Sequence, residues 1–178
     1  PGASAPARRP AVAGGQRGGL AAGAVGRAVG HETDRKFLFA AGGATVVVAM
    51  VALGFIVIRI LRQAVTDRFA PAIEAYVAAV VAGAVGMSLG IVLGVGRGGS
   101  RNVEIRGAHL VLNVFGLVGL VIAATLPYFA ATQVRSKMSS RATPTTMRIT
   151  FFVLAAATAV AASGQILDRS GVAAGGLI

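Results

Sequence analysis

Four long stretches of this chain contain no charged residue. They hold 22, 22, 28 and 19 residues, at positions 37–58, 75–96, 107–134 and 149–167. At about 1.5 Å of rise per residue, an α-helix over each stretch is long enough to cross a hydrocarbon core of about 30 Å. The sequence therefore predicts an all-α integral membrane protein with four transmembrane helices.

The composition agrees with a membrane environment. Hydrophobic residues make up 55% of the chain, charged residues 13%, and the mean hydropathy is +0.76. A soluble domain of 178 residues cannot bury that much apolar surface, and four spans leave no length for a separate catalytic domain.

The domain organisation follows from these spans and from the composition at the two ends. Residues 1–30 are rich in Ala, Gly, Pro and Arg and contain no acidic residue, a composition that resists folding in water. The predicted parts are an extended basic N-terminal tail at 1–33, a four-helix bundle at 34–169 with spans at about 37–60, 71–96, 105–132 and 147–167, and a short C-terminal tail at 170–178.

Charge also bears on topology and on binding partners. The net charge of +11 is spread over the tail and all connections, where basic residues meet lipid headgroups or acidic partners. Nucleic-acid binding is not predicted, because the sequence has no basic segment with interleaved aromatic residues on which bases could stack. An even number of spans places both termini on one side, with ten basic residues against seven, which slightly favours N-in, C-in. The most basic connection either docks anionic lipids or an acidic partner protein or is a solvated loop beside the membrane. Its basic residues are Arg135, Lys137, Arg141 and Arg148.

Small residues recur every fourth position in the second span. Because lipid tails are as apolar as Leu, helices in a bilayer associate by close van der Waals contact, which small residues permit. The fourth span offers a similar face and is expected to pair with this stripe. The predicted helix-packing residues are Ala78, Ala82, Gly86, Gly90, Gly94, Ala155 and Ala159.

Four polar residues in or beside the spans form a candidate polar or ligand site. Arg106, His109 and Asn113 share one helical face through spacings of three and four, and Glu74 stands at the head of the small-residue stripe. Glu74 either pairs with an arginine at the membrane interface or relays protons. His109 and Asn113 either ligate a pigment such as chlorophyll or form hydrogen bonds across a helix interface.

The sequence contains no arrangement typical of an enzyme, such as a Ser-His-Asp set, HExxH or a Walker loop. With no cysteine and two histidines, no metal site is predicted. We expect a non-catalytic accessory subunit of a large energy-transducing complex, in a mitochondrial inner, thylakoid or bacterial inner membrane. Its expected partners are other membrane subunits and anionic lipids. The alternatives are a small transporter or channel and, third, a pigment-binding subunit; no cofactor is expected beyond a bound lipid or chlorophyll-type pigment.

Overall fold

The computed structural model describes residues 9–63, 69–135, 139–167 and 176, and the regular secondary structure of these residues is entirely helical. The helices, in chain order, are α1 (Arg9–Glu32), α2 (Lys36–Gln63), α3 (Ala70–Gly94), α4 (Asn102–Val111), a π-helical segment (Leu112–Gly119), α5 (Leu120–Gln133) and α6 (Pro144–Ile166).

Four helical runs are long and apolar enough to cross a membrane, which confirms the predicted four-span integral membrane protein. They are Lys36–Ile60, Ala70–Gly94, Gly99–Gln133 and Pro144–Ile166. The third run, called the third span below, joins a short 3₁₀ turn, α4, the π-helical segment and α5 without a break. It begins six residues before the predicted start.

The amino-terminal segment is helical, which corrects the extended conformation predicted for residues 1–33. Residues 1–8 lie outside the described residues, and α1 occupies nearly all of the rest. α1 runs antiparallel to α2, because positions further back along α1 contact positions further along α2. The contacting pairs are Gly30–Phe39, Gly23–Val46 and Gly19–Ala49.

Glycines explain why α1 lies against α2. An added Cβ on Gly23 would lie 2.9 Å from the carbonyl oxygen of Gly42, and one on Gly30 would lie 2.7 Å from the Cα of Phe39. No side chain fits in either gap, so the two backbones are in direct contact. The pairing places α1 beside α2 at the depth of the membrane, although α1 is not among the four runs that are apolar enough to span it.

α3 is the central helix of the bundle, since it contacts α2, α6 and three parts of the third span, namely α4, the π-helical segment and α5. Near the start of α3, Ala72 and Ala75 pack with Met147 and Phe151 of α6. At the opposite end of α6, Arg101 donates a hydrogen bond to the carbonyl oxygen of Ile166, a favourable place for a cation beside a helix C-terminus.

The ends of α6 are set by its sequence. Thr143 caps the helix, its hydroxyl oxygen accepting a hydrogen bond of 3.1 Å from the backbone N–H of Thr146, and Pro144 occupies the first turn. α6 therefore begins three residues before the predicted span at 147. The predicted tail at 170–178 lies outside the described residues except for Gly176.

The α1–α2 hairpin predicts that the Arg9 end of α1 lies on the same side of the membrane as the connection between α5 and α6. The cysteine-free chain allows single-cysteine variants at Pro10, Ser139 and Ser100 to be labelled with a membrane-impermeant maleimide in sealed vesicles. We expect Pro10→Cys and Ser139→Cys to react from the same side and Ser100→Cys from the other. Labelling of Pro10→Cys together with Ser100→Cys would show that α1 does not cross beside α2.

Candidate functional site

The glycines of α3 form a face against which the third span packs. An added Cβ on Gly90 would lie 2.8 Å from Cε1 of His109, and one on Gly86 would lie 3.0 Å from Cγ of Asn113. At these distances a Cβ would require the neighbouring side chain to move. The absence of side chains at Gly86 and Gly90 therefore makes room for the imidazole and the amide.

His109 bonds directly to the backbone of α3. Its Nδ1 lies 2.7 Å from the carbonyl oxygen of Gly86, and because a carbonyl can only accept, Nδ1 carries the proton. In the neutral ring, Nε2 then holds the lone pair that can accept a proton or ligate a metal. His109 thus forms a hydrogen bond across a helix interface, which was one of its two predicted roles. The other role, as a ligand of a pigment, is not tested by this bond.

Asn113 bonds within its own helix. Its Nδ2 donates to the carbonyl oxygen of His109 at 2.7 Å, and it lies 3.2 Å from Nδ1 of His109. Since Nδ1 is already a donor to Gly86, the carbonyl is the acceptor of this amide. The π-helical segment begins at Leu112, next to Asn113. A π turn widens the helix and is frequent at functional sites, and here it contains Asn113 and begins three residues after His109.

Arg27 of α1 joins this cluster. From the sequence alone, Arg27 was predicted to lie in an extended tail. Its Nη1 lies 3.6 Å from Sδ of Met87, and its Cζ lies 4.9 Å from the ring centroid of Phe39. Its Nη2 lies 3.5 Å from the position of an added Gly90 Cβ, so Arg27 and His109 flank the same glycine. Glycines at positions 19, 23, 26 and 30 were the available signal, because they mark a helix face that a backbone can approach.

The other two candidate polar residues lie elsewhere. Arg106 is exposed, and no hydrogen bond of its side chain occurs within the described part of the chain. Glu74 pairs with Arg148, whose Nη2 is 2.9 Å from Oε1 and whose Nε is 3.0 Å from Oε2. Glu74 lies twelve residues, or about 18 Å of helix, from Gly86. The four residues therefore do not converge on one site.

The small-residue stripe of α3 was expected to pack against the fourth span, but most of it contacts other helices. Ala82, Gly86 and Gly90 face the third span, and Gly94 faces Phe39 of α2, so the expected pairing of the glycines with α6 is wrong. Helical periodicity shows which residues share a face but not which helix covers that face. Ala78, Ala155 and Ala159 instead line a cavity of about 510 Å³ between α3 and α6.

This cavity, called the α3–α6 groove below, is floored by the third span through Leu112, Gly116 and Leu120. A smaller pocket of about 160 Å³ shares Ala78 and Ala155 with it and reaches the Glu74–Arg148 pair. Thr158 also lines the groove, but its hydroxyl donates to the carbonyl oxygen of Leu154 at 2.8 Å. The groove is thus almost entirely apolar and leads to a charged pair at one end.

The four residues of the basic connection have different surroundings. Arg135 and Arg141 are exposed, Arg148 pairs with Glu74, and Lys137 lies outside the described residues. Arg135 adopts a φ of 49° just after α5, where a left-handed residue commonly ends a helix.

No family model, curated protein or solved structure matches this chain. Among the described residues, no group of three His, Asp or Glu side chains is placed to hold a metal ion.

The contact between Gly90 and His109 predicts that Gly90→Ala destabilises the bundle by about 1–3 kcal/mol, the usual cost of overpacking. Thermal unfolding in detergent should show a lower Tm. Gly18 has open space around the Cβ position, so Gly18→Ala is the matched control and is expected to be neutral or stabilising by up to ~1 kcal/mol. In a His109→Ala background the cost of Gly90→Ala should shrink, and an unchanged cost would contradict this contact.

The Glu74–Arg148 pair is expected to stabilise the bundle only modestly, because the two side chains are 41% and 47% exposed. Exposed pairs contribute about 0–1 kcal/mol. A double-mutant cycle with Glu74→Gln and Arg148→Gln, measured by thermal unfolding, should give a coupling energy in this range. A coupling energy above about 3 kcal/mol, typical of a buried pair, would show that the pair is shielded from solvent in its native setting.

Proposed function

We propose that this chain is a non-catalytic accessory subunit of a larger membrane complex, which it joins through the outward face of α1. This face is the side of α1 that points away from α2, and its residues are Gly14, Gly18, Ala21, Val25 and Ala28, with Arg17 at its edge. All six are exposed.

The depth of Arg17 is the observation that carries the proposal. Gly19 contacts Ala49, which lies near the middle of the span Lys36–Ile60, and Arg17 is two residues, or about 3 Å, nearer the start of α1. An arginine at the centre of a helix in the hydrocarbon core costs about 2.5–3.5 kcal/mol on insertion scales. Lipid is therefore a poor cover for this face.

A neighbouring protein is a better cover. Small residues at Gly14 and Gly18 allow another helix to approach closely, as in small-xxx-small interfaces, and a carboxylate on that helix would neutralise Arg17. The acidic residues of the chain itself are Glu32, Asp34, Asp67, Glu74, Glu104 and Asp168. None of them lies in the middle of a span, so a second copy offers no carboxylate at this depth, which favours a hetero-oligomeric complex.

Our proposal extends to an energy-transducing membrane, with a respiratory, ATP synthase or photosynthetic complex as the host, and the support for that extension is the small multi-span architecture alone. The transporter alternative required Glu74, His109 and Asn113 to converge. Glu74 lies about 18 Å along α3 from Gly86, and Gly86 is where His109 and Asn113 contact α3. The transporter alternative therefore lacks the arrangement that motivated it.

The test is Gly18→Leu, which changes the outward face of α1 without a clash inside the chain, since nothing lies within 4 Å of the Gly18 Cβ position. After mild detergent extraction from the native membrane, native gels should show wild type in a large complex and Gly18→Leu largely released from it. Val48→Leu, on an exposed face of α2, is the control and should remain in the complex.

Two results would contradict the proposal. One is migration of the wild-type chain alone, and the other is normal assembly of Gly18→Leu. Equal thermal stability of the purified wild type and Gly18→Leu chains would establish that any loss of assembly arises at the interface and not from unfolding.

A further inference from the structure

We infer that the α3–α6 groove binds one acyl chain of an anionic phospholipid, with the phosphate at the basic end of the bundle near the Glu74–Arg148 pair. The inference rests on the shape of the groove, on its position in the membrane and on the charge at its mouth. It is independent of the proposed complex, which uses the outward face of α1.

The groove has the dimensions of a lipid tail. It follows α3 from Ala78 to Leu89, about 16 Å of helix, which is close to the roughly 15 Å thickness of one leaflet of the hydrocarbon core. Its volume of about 510 Å³ is that of a typical small-ligand site. Thr158 and Ser163 carry the two hydroxyls of the lining, that of Thr158 is bonded within α6, and the other lining residues are apolar, so the lining favours an aliphatic occupant.

The packing of α3 and α6 restricts the occupant to a narrow molecule. At one end the two helices are joined by the Glu74–Arg148 pair and by Ala75 with Phe151. At the other end α6 packs on α4 through Ala161 and Ala162. A second helix, about 10 Å across, cannot enter without breaking these contacts, whereas a single acyl chain can.

The charge at the mouth selects the headgroup. The ends of α2, α5 and α6 on this side of the bundle carry five arginines, of which Arg148 lines the smaller pocket that adjoins the groove, and Glu74 is the sole acidic residue among the described residues at this end of the bundle. Basic side chains at the membrane surface attract anionic lipids, and the N-terminus of α6 adds a partial positive charge. The arginines are Arg59, Arg62, Arg135, Arg141 and Arg148.

The absence of tryptophan from the chain makes a fluorescence test possible. Val81, on the rim of the groove, is 57% exposed, and Val48 on α2 is 68% exposed, so each position accepts a single Trp. The purified variants Val81→Trp and Val48→Trp are placed in phosphatidylcholine vesicles that contain phosphatidylglycerol or phosphatidylcholine brominated in the middle of its chains. Quenching then reports the relative affinity of each site for the two lipids.

At Val81→Trp we expect brominated phosphatidylglycerol to be preferred by about fivefold, the ratio for one basic side chain at the surface, and at Val48→Trp we expect no preference. Ala159→Leu, which fills the groove, and Arg141→Gln, which removes one charge at this end of the bundle, should each reduce the preference at Val81→Trp. Circular dichroism should confirm unchanged helix content.

Three outcomes would overturn the inference. They are equal quenching by the two lipids at Val81→Trp, the same preference at Val48→Trp, and a preference that persists in full when Ala159→Leu fills the groove. The second outcome would indicate general attraction of anionic lipid to a basic protein, and the third would place the lipid outside the groove.

Discussion

The missing side chains on one face of α3 determine where the other helices can lie. In a bilayer, helices gain little from hydrophobic burial and associate through close packing and hydrogen bonds. Gly86 and Gly90 accept Asn113 and His109 of the third span, while Gly94 accepts the ring of Phe39 from α2. One helix face thus sets the positions of two neighbours, and α6 then packs on α3 and the third span beyond the glycines.

This arrangement also explains why the polar groups of the third span lie where they do. A polar side chain at membrane depth needs a hydrogen-bond partner, and the glycine face exposes backbone that can provide one. His109 uses the carbonyl oxygen of Gly86, and Asn113 uses that of His109. Arg27 reaches the same region from α1 by contacting Met87 and the face of Phe39, so three helices meet around Gly90.

The sequence predicted the four spans because uncharged length is a strong signal, and it predicted that His109 and Asn113 share a face. It did not predict α1, because the rule that Gly-rich, basic segments remain disordered describes chains in water. Beside α2 at membrane depth, backbone groups have no water to bond with and a helix is favoured. Nor did it predict the α3–α6 groove, because Ala78 and Ala159 have the same small size whether another helix covers them or not.

α1 also changes the argument for orientation. The slight basic excess on the side of the tail depended on assigning every tail residue to that side. Arg9 begins α1 at the other end of the bundle, and Arg17 lies near mid-depth, so the excess disappears. Among the described residues, six basic side chains then lie towards each end of the bundle. Because the positive-inside rule counts basic residues and not net charge, it no longer favours either orientation. The inferred lipid site does favour one, since anionic lipids are concentrated in the cytoplasmic leaflet, and it would place the Glu74–Arg148 end of the bundle on that side.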